Sequence, residues 1–279
     1  MIRLNLNLLS LLCCMALAVP AVAQIDVAPT SMVITSDTRN GVMLLRNVSN
    51  EEREVEVNAF FAYPATDSAG TMYMEKLDSV TALQYSLIPH LRVFPRRLVL
   101  PPNAEQNIKF LVTPKGTLNN GTYWARFSIK SKPTAKPIER QMTGDSVAIA
   151  MQFIVERVSG VVYLNNTVNI GLEVGQPQAR RDSMMRVFIP MEAKGNSPFW
   201  GNMNMTIKDA ETDSVVAEHF ELLAVYFSMN RRFDFALAKF SSGKRYIAEL
   251  KIDSERTEIP EKVRKTFAAI EKRLEFIVP

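Results

Sequence analysis

Beyond residue 24 the chain has no cysteine, because Cys13 and Cys14 are the only two and both lie near its start. A disulfide framework is thereby excluded, and the fold has to stand on its core. Histidine is as scarce. His90 and His219 are far apart in sequence, and neither has a second ligand at metal spacing or a nucleophile motif beside it. The 11 glycines form no GxGxxG or GxxxxGK(S/T) arrangement, so no phosphate-cradling loop is expected. Carboxylates such as Glu51, Glu52, Asp209, Glu211 and Asp213 fall in polar, turn-like stretches and read as solubilising acids. No catalytic residue, metal or cofactor is expected, and the function is sought in binding.

Charge of one sign is lacking too. The formal net charge of +4 becomes +3 if Arg3 is removed, and the basic residues are mixed with acids. The Arg-Arg pairs at 96, 180 and 231 have no interleaved aromatics, which argues against nucleic acid. The apolar run from Leu8 to Val19 is shorter than the roughly 20 residues a spanning helix needs. With Arg3 before it and Ala21-Val22-Ala23 after it, residues 1–24 read as a secretory signal cleaved after Ala23. Leu11-Leu12 do not supply the small residues that a lipoprotein cysteine requires. Export is therefore expected, with no stable membrane anchor.

What is present is β-sequence. At 279 residues and 47% hydrophobic, the chain can bury one large core or two ordinary ones. Short runs at 33–34, 41–45, 55–60, 106–112, 122–130 and 146–155 are rich in β-formers and are separated by polar turns. Two segments echo one another: LNNGTYWARFSIKS from Leu118 and FSSGKRYIAELKIDS from Phe240. Each places a Tyr just after a Gly turn and before an alternating strand, the position of the tyrosine corner in immunoglobulin-like sandwiches. Tyr123 and Tyr246 are the candidate corners. The expected fold is all-β, with two immunoglobulin-like β-sandwich domains in tandem: residues 25–157, then 158–279, jointed near 157–160.

The second half is less regular. Runs at 172–174, 185–191 and 203–208 look like strands, and a loop is expected at 196–202. Pro260 suits a first helical turn, so a short helix is expected there, followed by a last strand carrying Ile270, Leu274, Phe276 and Val278. Residues 64–90 are longer than a turn, with short strands or a helical turn expected from Met72-Tyr73-Met74 and 83–88.

Prolines 95, 101 and 102 interrupt two β-runs in LRVFPRRLVLPPNAEQNIKFLV, residues 91–112. The pattern Pro-x-x-Leu-x-Leu-Pro-Pro-x-x-x-Gln-x-x-Lys over 95–109 resembles a segment of PapD-like periplasmic pilus chaperones. Val27-Ala28-Pro29, the run 41–47, Gly121-Thr122-Tyr123-Trp124-Ala125-Arg126 and the run 146–153 follow that family's order over residues 25–157. The resemblance implies a chaperone, not an enzyme. It would bind secreted pilus or other surface-assembly subunits by strand donation, with an outer-membrane assembly protein as a further partner. Val147, Ile149, Met151, Phe153 and Val155 share one strand face and would be the donor residues. A closing strand that packs into its own core has the same pattern. The family anchors a subunit's C-terminal carboxylate with an Arg on the first strand and a Lys on the donor strand. Here Pro29 holds the first position and Ile154 or Val155 the second, leaving Arg157 as a displaced anchor. The competing class is a structural or adhesion module of the cell envelope.

Overall fold

The computed structural model of the protein describes residues 24–134 and 154–279, apart from 258, 260 and 262–264. Alternation of buried and exposed side chains sets its first two sheets, since strand side chains point to opposite faces. One sheet runs β1 (Ile25–Ala28), β3 (Asn40–Asn47), β9 (Glu105–Val112), β7 (Leu91–Phe94). The facing sheet runs β2 (Ser31–Thr35), β11 (Val155–Asn165), β10 (Gly121–Pro133), β4 (Arg53–Phe60), β8 (Arg97–Leu100). Ile34, Met43, Leu45, Ile108, Phe110 and Phe127, each 0% exposed, fill the space between them.

The prolines mark where the chain changes sheets. Between β1 and β2 it passes Pro29, and between β7 and β8 it passes Pro95. A proline has no N–H to continue a ladder, so the strand on one sheet ends there and the next begins on the other. As a result β1 pairs antiparallel with β3, whereas β2 pairs parallel with β11.

A second core lies between two further sheets. In one, β14 (Met185–Gly195) has β17 (Ser228–Phe235) on one side and β12 (Ile170–Val174) and β13 (Gln178–Arg181) on the other. The other runs β16 (Val215–Val225), β15 (Phe199–Asp209), β18 (Arg245–Asp253), β19 (Ile270–Ile277). The last strand turns Leu274, Phe276 and Val278 inward as its alternation predicts. Most of the expected helix at Pro260 lies outside the described residues. The all-β architecture of two sandwiches is as the sequence predicts.

The expected joint at 157–160 lies within a strand. β11 runs unbroken through 157–160, where the sequence places the boundary, and its Val161 and Tyr163 belong to the first core. The first sandwich therefore keeps its closing strand to Asn165. Val147, Ile149, Met151 and Phe153 lie outside the described residues, and only Val155 and Arg157 of the candidate set are on β11.

Residues 63–90 form a unit of their own. A hairpin of β5 (Tyr63–Thr66) and β6 (Met72–Glu75) leads into helix α1 (Ser79–Tyr85). Asp78 caps that helix, its Oδ1 accepting from Thr81 N–H at 2.9 Å. No helix among the described residues is long and apolar enough to cross a membrane.

Candidate functional site

Pairing on β11 is lopsided. On one side it bonds β10 along its whole length, from Val155 opposite Ser131 to Asn165 opposite Gly121. On the other side β2 covers only Gly160–Leu164. Among the described residues Val155–Ser159 therefore have a strand neighbour on one side alone. The sheet switch at Pro29 is the cause, because β1, which would otherwise extend β2 along this edge, has gone to the facing sheet. An unpaired edge presents backbone N–H and C=O groups in register for another strand.

The two faces of β11 have different fates. Ser159, Val161 and Tyr163 point into the first core, and by the same parity so do Val155 and Arg157. Val162 and Leu164 point the other way, toward the second sandwich. Ile154 and Val158 share that outward parity and are 64% and 55% exposed, so apolar side chains flank the open edge. Arg157 is on the core-side face and not on the face that looks toward the second sandwich.

That second face meets an aromatic joint. Trp124 stacks on Phe61 and Tyr85, with ring centroids 5.5 and 5.3 Å away, and meets Tyr226 of the second sandwich edge-on at 4.8 Å. A polar latch lies beside it. Thr122 donates through Oγ1 to Ser197 Oγ at 2.7 Å and through N–H to the Asn196 carbonyl at 3.0 Å. Gly121 sits at φ 138° in this contact, and a Cβ there would come within 2.6 Å of the Asn196 oxygen. The hairpin of β5 and β6 reaches across as well: Asn230 N–H donates to Thr66 Oγ1 at 2.9 Å and Arg232 to the Ala69 carbonyl at 3.1 Å.

Beside the joint, where β2 begins, is a cavity of about 100 Å³. Ser31, Gly160, Trp200 and Tyr226 line it, together with the guanidinium-bearing Arg126 and Arg256. Arg126 stands on β10 directly opposite Gly160, and a Cβ at Gly160 would lie 2.8 Å from Arg126 Nη1. The missing side chain at 160 is thus what leaves room for the guanidinium. Arg126 Nη2 donates to Tyr226 Oη at 3.3 Å, while its buried Nε has no hydrogen-bond partner. Arg256 donates to the Leu223 carbonyl at 3.0 Å. A buried N–H without an acceptor is costly, and two guanidiniums on one small cavity suit a carboxylate. The sequence reading missed Arg126. Its only signal is a charge between Trp124 and Ser128 in a strand, and the Gly opposite is visible only once β10 and β11 are paired.

The remaining candidates are structural. Tyr123 Oη donates to the Asn119 carbonyl at 3.2 Å, and Ser241 N–H donates to Tyr246 Oη at 2.9 Å, so each ring is tied back to the turn before its strand. His90 Nδ1 accepts from Lys115 N–H, and His219 contacts Glu221, which Arg231 holds bidentately. Neither imidazole has a nucleophile among these partners. Among the described residues no group of three His, Cys, Asp or Glu side chains is placed to hold a metal ion.

No family model and no curated protein sequence matches the chain. Solved structures do. The YadV chaperone is 10% identical, with 91% of this chain covering 100% of that one at a TM-score of 0.51. The class 5 fimbriae chaperone CfaA is 13% identical over 90% of this chain and 98% of its own, at 0.45. The E. coli chaperone DraB is 10% identical over 91% and 96%, at 0.41. At such identities the likeness is one of fold, and the YadV match carries it. The resemblance to PapD-like chaperones read from the sequence holds at that level: the chain has the two-sandwich chaperone fold.

Proposed function

We propose that this protein is a periplasmic chaperone that holds pilus or other surface-assembly subunits by strand pairing along β11. The carrying observation is the edge at Val155–Ser159, open among the described residues and flanked by exposed Ile154 and Val158. An incoming strand gains backbone hydrogen bonds from that edge and apolar contacts from its side chains. In the sequence Val147, Ile149, Met151 and Phe153 alternate in the parity of Val155, and in this reading they fill the subunit's groove. Residues 1–24 supply the export signal.

The carboxylate anchor moves in this reading. Pro29 replaces the family's first-strand Arg, and Arg157 lies on the core-side face of β11. Arg126, whose Nε lacks an acceptor beside a cavity at the start of β2, takes that role with Arg256 beside it. The client's chain terminus would then sit next to the strand that it pairs with.

The test is co-expression of the full chain in a periplasm with its neighbouring genes, followed by mass spectrometry of what co-purifies. A stoichiometric subunit lost in Val158→Asp, a change at an exposed position, supports the chaperone. Ile149→Asp tests the backward extension, and Arg126→Met the anchor. A clean monomer, or a partner indifferent to Val158→Asp, would leave a structural or adhesion module of the envelope.

A further inference from the structure

The outer face of the sheet β1-β3-β9-β7 is turned away from the joint, and its two ends differ. At one end Arg46 is paired with Glu105 at 3.7 Å, and Asp26 stands opposite Arg46 on β1. Charge there is balanced. At the other end the cross-strand rows are Val42, Lys109, Phe94 and then Asn40, Leu111, Arg92. Phe94 is 74% exposed, Val42 49% and Leu111 45%. No acid stands in either row, and neither Arg92 nor Lys109 makes an ion pair among the described residues.

Those two cations are diagonal neighbours, because Arg92 faces Leu111 while Lys109 faces Phe94. Like charges at that spacing repel. A large exposed aromatic between them adds apolar surface that water does not favour. This end has two cations around an apolar centre. β7 also has a strand neighbour only on its β9 side among the described residues.

We infer that this face docks an extended acidic segment of a second protein, laid along β7. A carboxylate opposite Arg92 and an aromatic or aliphatic side chain opposite Phe94 would neutralise the cations and cover the apolar centre in one strand register. The surface lies on the opposite side of the first sandwich from the β11 edge, so both can be occupied at once. The inference stands independently of what β11 binds.

The probe is a synthetic heptapeptide of glutamate, threonine, phenylalanine, threonine, glutamate, threonine and leucine, with a control carrying lysine for both glutamates. Binding to the full chain is followed by fluorescence anisotropy and by amide chemical shifts. The expected result is binding of the acidic peptide alone, with shifts at Arg92, Phe94, Lys109 and Leu111. Affinity should fall about tenfold in the double variant Phe94→Ser, Lys109→Glu, and stay unchanged in Val158→Asp. Both substituted positions are on an outer face, so the variant should fold. Equal binding of the two peptides, or shifts confined to β11, would overturn the inference. So would binding of the same face to anionic lipid vesicles in place of the peptide.

Discussion

Replacing Trp124 tests whether the two sandwiches are welded at the joint. The side chain is 1% exposed and contacts aromatic rings from three sources: Phe61 at the end of β4, Tyr85 on α1 and Tyr226 of the second sandwich. Truncation of a buried Trp to Ala leaves a cavity and costs about 3–5 kcal/mol. Each aromatic pair adds about 0.5–1.5 kcal/mol beyond area alone, which puts Trp124→Ala toward the upper end of that range. Trp124→Phe should behave differently. The indole Nε1 is buried without an acceptor, a state that costs about 1–3 kcal/mol. Phenylalanine removes that donor while keeping a ring in the stack, so the lost area and the relieved N–H should offset to within about 1.5 kcal/mol. Urea unfolding followed by far-UV circular dichroism reads both. The wild type and Trp124→Phe should unfold in one transition, and Trp124→Ala in two, as the sandwiches uncouple. A loss below about 1 kcal/mol in Trp124→Ala, still in one transition, would refute the reasoning.

Two further predictions concern the unit at 63–90 and its neighbour. Tyr63 donates to Asp78 Oδ2 at 2.7 Å, and burial, aided by that bond, pushes its phenol up to about 12. Asp78→Ala should lower this value without restoring the ordinary one, since burial is the larger cause, and should cost about 0.5–2 kcal/mol through loss of the α1 cap. Ultraviolet titration of tyrosinate absorbance checks the first effect and urea midpoints the second; an unmoved alkaline titration would contradict the pairing. Burial, with the charge of Lys115 second, holds the His90 imidazole below its ordinary value. The unfolded chain then takes up the proton first, so stability present above about pH 6.5 is lost as the pH falls toward the folded value. His90→Gln should flatten that part of the stability profile between about pH 7.5 and about pH 5, and parallel profiles in the two proteins would count against it.

Much of the fold is legible because strand burial has period two. Val55 and Val57, Ile108 and Phe110, and Leu274 and Phe276 alternate cleanly, and each pair is buried in the structure. The same rule says less about β11, where Arg157 and Ser159 interrupt the apolar residues of the core-side face and Val162 and Leu164 are buried on the other. Alternation says which residues share a face, and not which sheet claims them. Thr122–Lys130 was legible as a strand from its β-formers, although both its faces are buried, but the role of Arg126 within it was not. Its environment is made by Gly160, which lies 34 residues later in the chain and opposite it in the sheet.

Periodicity and the two echoed Gly-Tyr segments determined that this is an all-β chain built as two sandwiches, with no cysteine after residue 24. Those properties follow from each residue's own chemistry, from neighbours two positions away and from a short pattern used twice. Which edge is left open among the described residues, which guanidinium Nε lacks an acceptor and where two cations meet around a phenylalanine depend on pairing between distant strands. Only the tertiary structure decided these, because the switch at Pro29 exposes part of β11 by sending β1 to the opposite sheet, a consequence that no local pattern encodes.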